Sequence, residues 1–67
     1  MYKLTEYNCN GRVAKVYWDR EWEEYVVKFF ANGVYMDASD YFTAELDDAH
    51  LTAEATIEDE RQWENAR

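Results

Sequence analysis

Polar turn residues divide the first forty positions of the chain into short runs that are rich in β-branched and aromatic residues. Such runs are typical of β-strands. Two Asn-Gly dipeptides, Asn10-Gly11 and Asn32-Gly33, lie between them. Asn-Gly is the strongest short signal for a hairpin, because both central residues of a type I′ turn need a positive φ. The pattern predicts consecutive antiparallel hairpins, which form a β-meander of three to four strands.

The second Asn-Gly turn predicts a pairing register in which aromatic meets aromatic and lysine meets aspartate. The predicted partners are Ala31 with Val34, Phe30 with Tyr35, Phe29 with Met36, Lys28 with Asp37, and Val27 with Ala38.

Two further turns extend this register toward the N-terminus. A polar turn with Arg20-Glu21 at its tip joins residues 12–18 to 23–30. It places Val16 opposite Tyr25 and Ala14 opposite Val27. Around the first Asn-Gly turn, an additional strand places Glu6 opposite Lys15, Leu4 opposite Tyr17 and Tyr7 opposite Ala14.

The register gives the sheet one apolar and one mixed face, because successive side chains of a strand point to opposite faces. The apolar face, which we expect to form the core, carries Ala14, Val16, Trp18, Tyr25, Val27, Phe29, Val34, Met36 and Ala38. The mixed face, which we expect to meet water in part, carries Val13, Lys15, Tyr17, Glu24, Val26, Lys28, Phe30, Tyr35 and Asp37.

From Thr43 onward the spacing of apolar residues changes to a helical period. The stripe consists of Leu46, Ala49, His50, Ala53 and Ile57. Thr43 is a suitable N-cap. Acids in or near the first turn and bases near the end complement the helix dipole; they are Glu45, Asp47 and Asp48, then Arg61 and Arg67. The spacing predicts a helix from about residue 44 to about residue 63, packed on the apolar sheet face. The expected fold is α+β, a meander followed by one C-terminal helix.

Length and composition fit one small domain over residues 1–67. Aromatic residues make up 18% of the chain, and their large buried areas compensate for its short length. The single cysteine, Cys9, excludes an internal disulfide and indicates a reducing compartment. The first residues show no apolar leader, and no run approaches the roughly 18 apolar residues of a membrane span. We expect a cytoplasmic protein without membrane association.

The net charge of −8 is unevenly distributed along the chain. Residues 41–67 hold eight acids and two bases, whereas residues 1–40 hold seven acids and five bases. A field of this sign repels nucleic acid and anionic membranes and favours basic partners. The alternative interpretation is that the acids keep a small, aromatic-rich protein soluble.

The residue types needed for catalysis or metal binding are scarce. Cys9 and His50 are the only cysteine and histidine, and the predicted elements do not bring them together. We expect an ordinary thiol, and a histidine at the border of the core with one nitrogen bonded to a polar group. A soft metal site needs more such ligands, and no calcium-loop or phosphate-loop pattern is present. We expect no enzyme activity, no metal and no cofactor.

Two surfaces remain for binding a partner. The outer face of the helix carries acids that predict an electrostatic docking surface: Glu45, Asp48, Glu54, Glu58, Asp59, Glu60 and Glu64. The mixed sheet face offers an apolar patch for a partner or for a homodimer through Tyr17, Val26, Phe30 and Tyr35. Direct nucleic-acid binding is not expected there, because Lys15 and Lys28 each have an acid in the opposite position.

One segment of the chain resembles small proteins of tailed phages, cyanophages among them. The similarity lies in Glu23–Phe30, Asn32-Gly33, Asp40–Thr43 and the segment Asp47 to Ala53. The architecture is also similar to the small RNA polymerase inhibitors of T7-like phages, which combine a short antiparallel sheet with a helix opening Thr-x-x-Glu-Ala; here Thr43 to Ala49 has a different spacing.

These resemblances imply a phage accessory protein that binds and modulates or inhibits a host protein, for example a nucleic-acid-handling enzyme such as RNA polymerase. The expected partner is a host protein with a basic surface. The alternative is a structural or assembly protein that homodimerises through its sheet face.

Overall fold

The computed structural model describes residues 1–59, 61 and 63, and it contains five strands and one α-helix. The strands are β1 (Tyr2–Cys9), β2 (Arg12–Asp19), β3 (Glu24–Ala31), β4 (Val34–Tyr35) and β5 (Tyr41–Thr43). A short 3-10 helix (Asp37–Ser39) lies between β4 and β5, and the helix α1 spans Leu46–Glu58. The predicted α+β fold, a meander followed by a C-terminal helix, is confirmed.

The sheet is antiparallel and has the order β1-β2-β3, with β4 and β5 both pairing with the far edge of β3. Both Asn-Gly turns form as predicted, since Asn10, Gly11, Asn32 and Gly33 all have φ between 50° and 84°. The N-terminal segment is a full strand. Its pairs Glu6 with Lys15 and Tyr7 with Ala14 are confirmed.

The predicted pairing of Leu4 with Tyr17 is wrong. Lys3 occupies that position, and the register shifts between Lys3 and Thr5. The extra residue is a β-bulge, which locally increases the twist of an edge strand.

The predicted turn between β2 and β3 is also wrong, by two residues. Val16 pairs with Val27 and Ala14 with Phe29, because the loop is four residues long rather than two. Asp19 holds this loop by accepting hydrogen bonds from the backbone N–H groups of Glu21 (3.0 Å) and Trp22 (3.4 Å). A shift of two residues preserves the face of every side chain.

The predicted second hairpin is right only beside its turn. Ala31 pairs with Val34 and Phe30 with Tyr35, and the backbone N–H of Met36 still donates to the carbonyl of Phe29 at 2.8 Å. The chain then enters the 3-10 helix, so the predicted pairs Lys28 with Asp37 and Val27 with Ala38 do not form.

Strand β5 occupies the edge that was assigned to the extension of β4. Tyr41 pairs with Val27, Phe42 with Val26, and Thr43 with Tyr25. Phe42 therefore belongs to the sheet, although the sequence prediction left it out.

The helix is shorter than predicted at both ends. Thr43 is not its N-cap: it ends β5, and its hydroxyl accepts a hydrogen bond from the backbone N–H of Glu45 at 3.1 Å. Glu45 is the N-cap residue and makes no side-chain capping bond. The helix ends at Glu58, so Arg61 lies beyond its last turn. Arg67 lies outside the described residues.

The core lies between α1 and the inner face of the sheet. It consists of Ala14, Val16, Val27, Phe29, Ala49, Ala53 and Ile57, with Tyr7, Cys9, Tyr25, Tyr41 and Trp63 packed around it. Three predicted core positions are wrong, because Val34 and Leu46 are 66% and 41% exposed and Ala38 is exposed as well. Val34 and Ala38 lie where the inner face ends, because β4 stops after two residues.

Candidate interaction surfaces

The solvent-facing side of α1 forms a stripe of exposed residues, which we call the helix outer face. Its members are Asp47, Leu51, Glu54 and Glu58. Their spacing of four, three and four residues places them along one side of a helix. Leu51 is 68% exposed. The apolar residues of an amphipathic helix usually face the core, but Leu51 faces away from it. The structure thus has an apolar side chain at the centre of an acidic surface.

The acids of the helix outer face have no cationic partner among the described residues. The ion pairs of that part of the chain join Lys3 to Glu6, Lys28 to Asp40, and Arg61 to Asp59. The negative charge of the helix outer face is therefore available to a partner.

Asp48, which was predicted to belong to this surface, instead connects the helix to β5. The Tyr41 hydroxyl donates to its carboxylate at 2.5 Å, and the Thr52 hydroxyl donates at 3.5 Å. The hydrogen bond from Tyr41 is the largest reason that the pKa of Asp48 is lowered, followed by one from Thr43. The same contact raises the pKa of Tyr41, because the carboxylate favours the protonated phenol.

The other acids that were predicted to bind a partner lie in different surroundings. Glu45 is exposed just before the helix. Asp59 accepts hydrogen bonds from the backbone and the guanidinium of Arg61, at 3.1 and 3.3 Å. Glu60 and Glu64 lie outside the described residues. Only Glu54 and Glu58, of the acids predicted as partner-binding, join the helix outer face. Asp47, which the prediction omitted, joins them.

The sheet face turned away from α1 carries a row of four side chains across the strands. This row, the outer sheet row, consists of Lys3, Tyr17, Val26 and Phe42. Val26 is only 1% exposed and is unavailable to a partner, contrary to the prediction, whereas Phe42 is 55% exposed. The alternation in Tyr41–Thr43 was the signal for Phe42, but three residues are too few to establish a period.

Phe30 and Tyr35 form an aromatic pair that is engaged within the chain. Their ring centroids are 5.2 Å apart, and Lys15 Nζ lies 4.6 Å from the Phe30 centroid. Lys28 Nζ donates to the Tyr35 hydroxyl at 3.0 Å, and that hydroxyl donates to Asp40 at 2.6 Å.

The acid expected opposite Lys28 is therefore Asp40 rather than Asp37. The hydrogen bond with Tyr35, ahead of the charge of Asp40, raises the pKa of Lys28. Lys15 and Lys28 are direct neighbours across β2 and β3. The rings and Asp40 offset the repulsion between the two ammonium groups.

Cys9 and His50 have different polar partners. His50 Nδ1 shares a hydrogen bond of 2.7 Å with the Tyr7 hydroxyl, as expected for a histidine at the border of the core. Cys9 ends β1 rather than lying in a turn, and its sulfur accepts a hydrogen bond from Arg12 at 3.8 Å.

Two cavities share Met36 and Trp63 in their linings, and the larger of them lies at the Asn-Gly turns. The smaller, of about 210 Å³, is lined by Phe29, Met36, Ser39, Asp40, Tyr41, Thr52, Thr56 and Trp63. The larger, of about 430 Å³, is lined by Asn10, Arg12, Ala31, Asn32, Val34, Met36 and Trp63. Trp63 is fixed between them by donating its indole N–H to the carbonyl of Thr56 at 2.7 Å.

Comparisons with known proteins add no assignment to this geometry: no family model matches the chain, and neither curated proteins nor solved structures show a similar one. The resemblance to tailed-phage proteins stays a prediction. Within the described residues, no three histidine, cysteine, aspartate or glutamate side chains are grouped as metal ligands would be. No helix in that part of the chain is long and apolar enough to span a membrane.

Proposed function

We propose that this chain is a non-enzymatic binding protein that docks through its helix outer face onto a basic surface of another protein. The observation that carries the proposal is the exposed Leu51, which has the exposed acids Asp47, Glu54 and Glu58 around it. Single exposed apolar residues are common on protein surfaces. The support for docking is that Leu51 lies in a row of acids that have no cationic partner among the described residues.

The arrangement fits a helix that binds in a groove. Leu51 is the apolar anchor, and covering it contributes about 1.5–3 kcal/mol. The surrounding acids steer the encounter and select a groove with a basic rim, which affects the association rate more than the affinity. The resemblance to phage polymerase inhibitors suggests a host nucleic-acid-handling enzyme, such as RNA polymerase, as the target to be modulated or inhibited.

The direct test is binding of the purified chain to purified bacterial RNA polymerase, together with capture of partners from a bacterial lysate. Replacing Asp47, Glu54 and Glu58 with lysine is expected to abolish binding. The matched control replaces three exposed acids elsewhere, Glu21, Glu23 and Asp37, with lysine and changes the net charge equally. The control is expected to retain binding.

Two outcomes would contradict this proposal. Equal losses in both triple variants would assign the binding to net charge alone. If the Leu51→Ala variant binds as tightly as the unchanged chain, Leu51 is not the apolar anchor of the docking surface. Binding is also expected to weaken strongly in about 0.5 M salt, since charges at that ionic strength are screened over a few ångströms.

A second candidate function is a structural role through homodimerisation of the sheet face. The exposed Phe42 favours it, because this ring lies on the outer sheet row, which also contains Tyr17. Sedimentation measurements at increasing concentration separate the two functions. A dimer that Phe42→Asp dissociates supports the structural role, and a monomer at every concentration excludes it.

A further inference from the structure

The larger cavity lies at the end of the sheet where the two Asn-Gly turns are neighbours. The backbone N–H of Asn32 donates to the carbonyl of Gly11 at 2.9 Å, which joins the two turns. The cavity volume of about 430 Å³ falls within the usual range for ligand sites, about 300–1,000 Å³. Its walls come from both Asn-Gly turns, from β2, β3 and β4, and from Met36 and Trp63, so residues far apart in the sequence converge on it.

Arg12 is the charged residue of this cavity. A guanidinium has five N–H donors in a fixed plane, and the structure gives Arg12 one acceptor, the sulfur of Cys9 at 3.8 Å. Its Nε is buried and has no hydrogen-bond partner in the described part of the chain. The carbon of the guanidinium lies 5.8 Å from the centroid of the Trp63 ring.

No carboxylate of the described residues pairs with Arg12, in a chain with fifteen acids and seven bases. A partly buried guanidinium without an anion is unfavourable, because its lost hydration is not replaced. Two lysines of the sheet differ in this respect, since Lys3 and Lys28 each form an ion pair with an acid of the chain. Among the described residues, Arg12 therefore has no anion to balance its partly buried charge.

The other residues that line the cavity indicate the chemical character of the ligand that carries the anion. Asn10 and Asn32 offer neutral amide groups for further hydrogen bonds, and Val34, Met36 and Trp63 form an apolar wall. The wall suits an apolar or aromatic group of the ligand. The net charge of −8 disfavours a multiply charged anion such as a phosphate ester. A carboxylate matches the guanidinium fork with two hydrogen bonds and adds only one negative charge.

We propose that the cavity between the Asn-Gly turns binds a carboxylate carried on an apolar or aromatic group, with Arg12 holding the carboxylate and Trp63 and Met36 covering the apolar part. The carboxylate belongs either to a free small molecule or to the C-terminal residue of a peptide. This site is separate from the helix outer face, so it stands or falls independently of the proposed function.

Nuclear magnetic resonance titration of the full ¹⁵N-labelled chain tests the site. The probe is 3-phenylpropionate, and the neutral control of nearly equal shape is 3-phenylpropionamide. The carboxylate is expected to cause saturable shifts of the Trp63 indole N–H and of the Asn32 and Gly33 amides. The amide probe is expected to bind at least tenfold more weakly. Equal shifts with both probes, or none with either, would overturn the proposal.

A second pair of probes distinguishes the source of the carboxylate. N-acetylphenylalanine imitates the C-terminus of a peptide, whereas 3-phenylpropionate lacks the peptide group. At least tenfold tighter binding of N-acetylphenylalanine supports a peptide C-terminus, and the reverse order supports a free small molecule.

Variants connect the binding to Arg12. Arg12→Gln is expected to lose the carboxylate preference, and Arg12→Lys is expected to weaken binding because it keeps the charge without the planar fork. The control Arg20→Gln removes the same charge from the exposed β2–β3 loop and is expected to bind normally.

A further variant guards against misfolding of the Arg12 variants. Asn32→Asp keeps a residue that suits the turn and places a negative charge at the cavity wall. It is expected to weaken 3-phenylpropionate binding at least tenfold. Unchanged affinity in Asn32→Asp, or in a folded Arg12→Gln, would refute the assignment.

Discussion

At the scale of single residues, the two Asn-Gly turns look alike in the sequence but differ in their surroundings. Gly11 and Gly33 have φ of +80° and +84°. A Cβ added to Gly11 would lie 2.7 Å from Asn32 Oδ1, whereas a Cβ added to Gly33 would meet nothing within 4 Å. Both positions require a left-handed backbone, and only one of them is crowded.

We expect Gly33→Ala to lower the free energy of unfolding by about 1–2 kcal/mol, the cost of a left-handed L-residue. Gly11→Ala should cost about 0.5–1.5 kcal/mol more, because Asn32 must leave its rotamer. Urea denaturation of both variants measures the difference. Equal losses would show that Asn32 moves aside without cost.

The contact between Tyr41 and Asp48 predicts how stability depends on pH. The pKa of Asp48 is lowered in the folded chain, so its contribution is present above the unfolded value of about 3.9 and is lost as the pH falls through the folded value. The pKa of Tyr41 is raised, so its contribution is present below about pH 10 and is lost as the pH rises through its folded value.

Asp48→Asn is accordingly expected to reduce stability at neutral pH and to flatten the loss of stability on acidification. Asp47→Asn is the matched control, since it removes the same charge from the exposed position next to it. The measurement is urea denaturation from about pH 3 to pH 7. If Asp47→Asn changes the pH dependence of stability as much as Asp48→Asn does, the hydrogen bond between Tyr41 and Asp48 is not its cause.

The sequence was sufficient to predict the conformation of residues that depend on their neighbours in the chain. It was not sufficient to predict contacts between residues that later segments of the chain bring together. The Asn-Gly turns were predictable because they depend only on the φ angles of their own two residues. The position of His50 at the border of the core followed from the spacing of apolar residues along the helix. Asp48 was assigned to solvent because its partner Tyr41 reaches it only through β5, a strand that the sequence prediction did not contain.

At the scale of elements, the faces of β2 and β3 were predictable although the register between these two strands was not. The β2–β3 loop is four residues long, and an error of two residues left Val16 and Val27 on the core face. Strand β5 was missed because three residues carry too little periodicity, and its position is determined by the free edge of β3. The helix stripe was correct at Ala49, Ala53 and Ile57, which are all buried.

The small residues of this stripe allow α1 to approach the sheet closely. Ala53 is fully buried, whereas Ala55, two positions later, is exposed. We expect Ala53→Leu to lower the free energy of unfolding by about 1–3 kcal/mol through overpacking. Ala55→Leu should leave it nearly unchanged, because both residues favour helices. Chemical denaturation compares the two, and an equally tolerated leucine at Ala53 would indicate a loosely packed interface.

At the scale of the whole molecule, the exposed acids of α1 oppose folding through mutual repulsion, because the described residues give them no cation. We expect salt to stabilise the folded chain by screening this repulsion. Unfolding by urea in low salt and in about 0.5 M sodium chloride measures the effect.

Replacing Glu54 and Glu58 with lysine should reduce the salt effect, and replacing Glu21 and Glu23 should reduce it less. If the two double variants respond alike, the repulsion is spread over the molecule and is not concentrated on the helix. The sequence predicted an acidic surface on the helix, but the contacts of Asp48 and Asp59 decide how much of it is available.

The position of β3 also has a consequence for the order of folding. β3 is the only described strand that pairs with three others, β2, β4 and β5. β4 and β5 have no edge to pair with until β3 is in place, and the β2–β3 hairpin is the longest local pairing available to create it. We therefore expect a transition state that contains β2 and β3. Val27→Ala should slow folding, whereas Ile57→Val on the later-docking helix should mainly accelerate unfolding, which stopped-flow kinetics distinguishes.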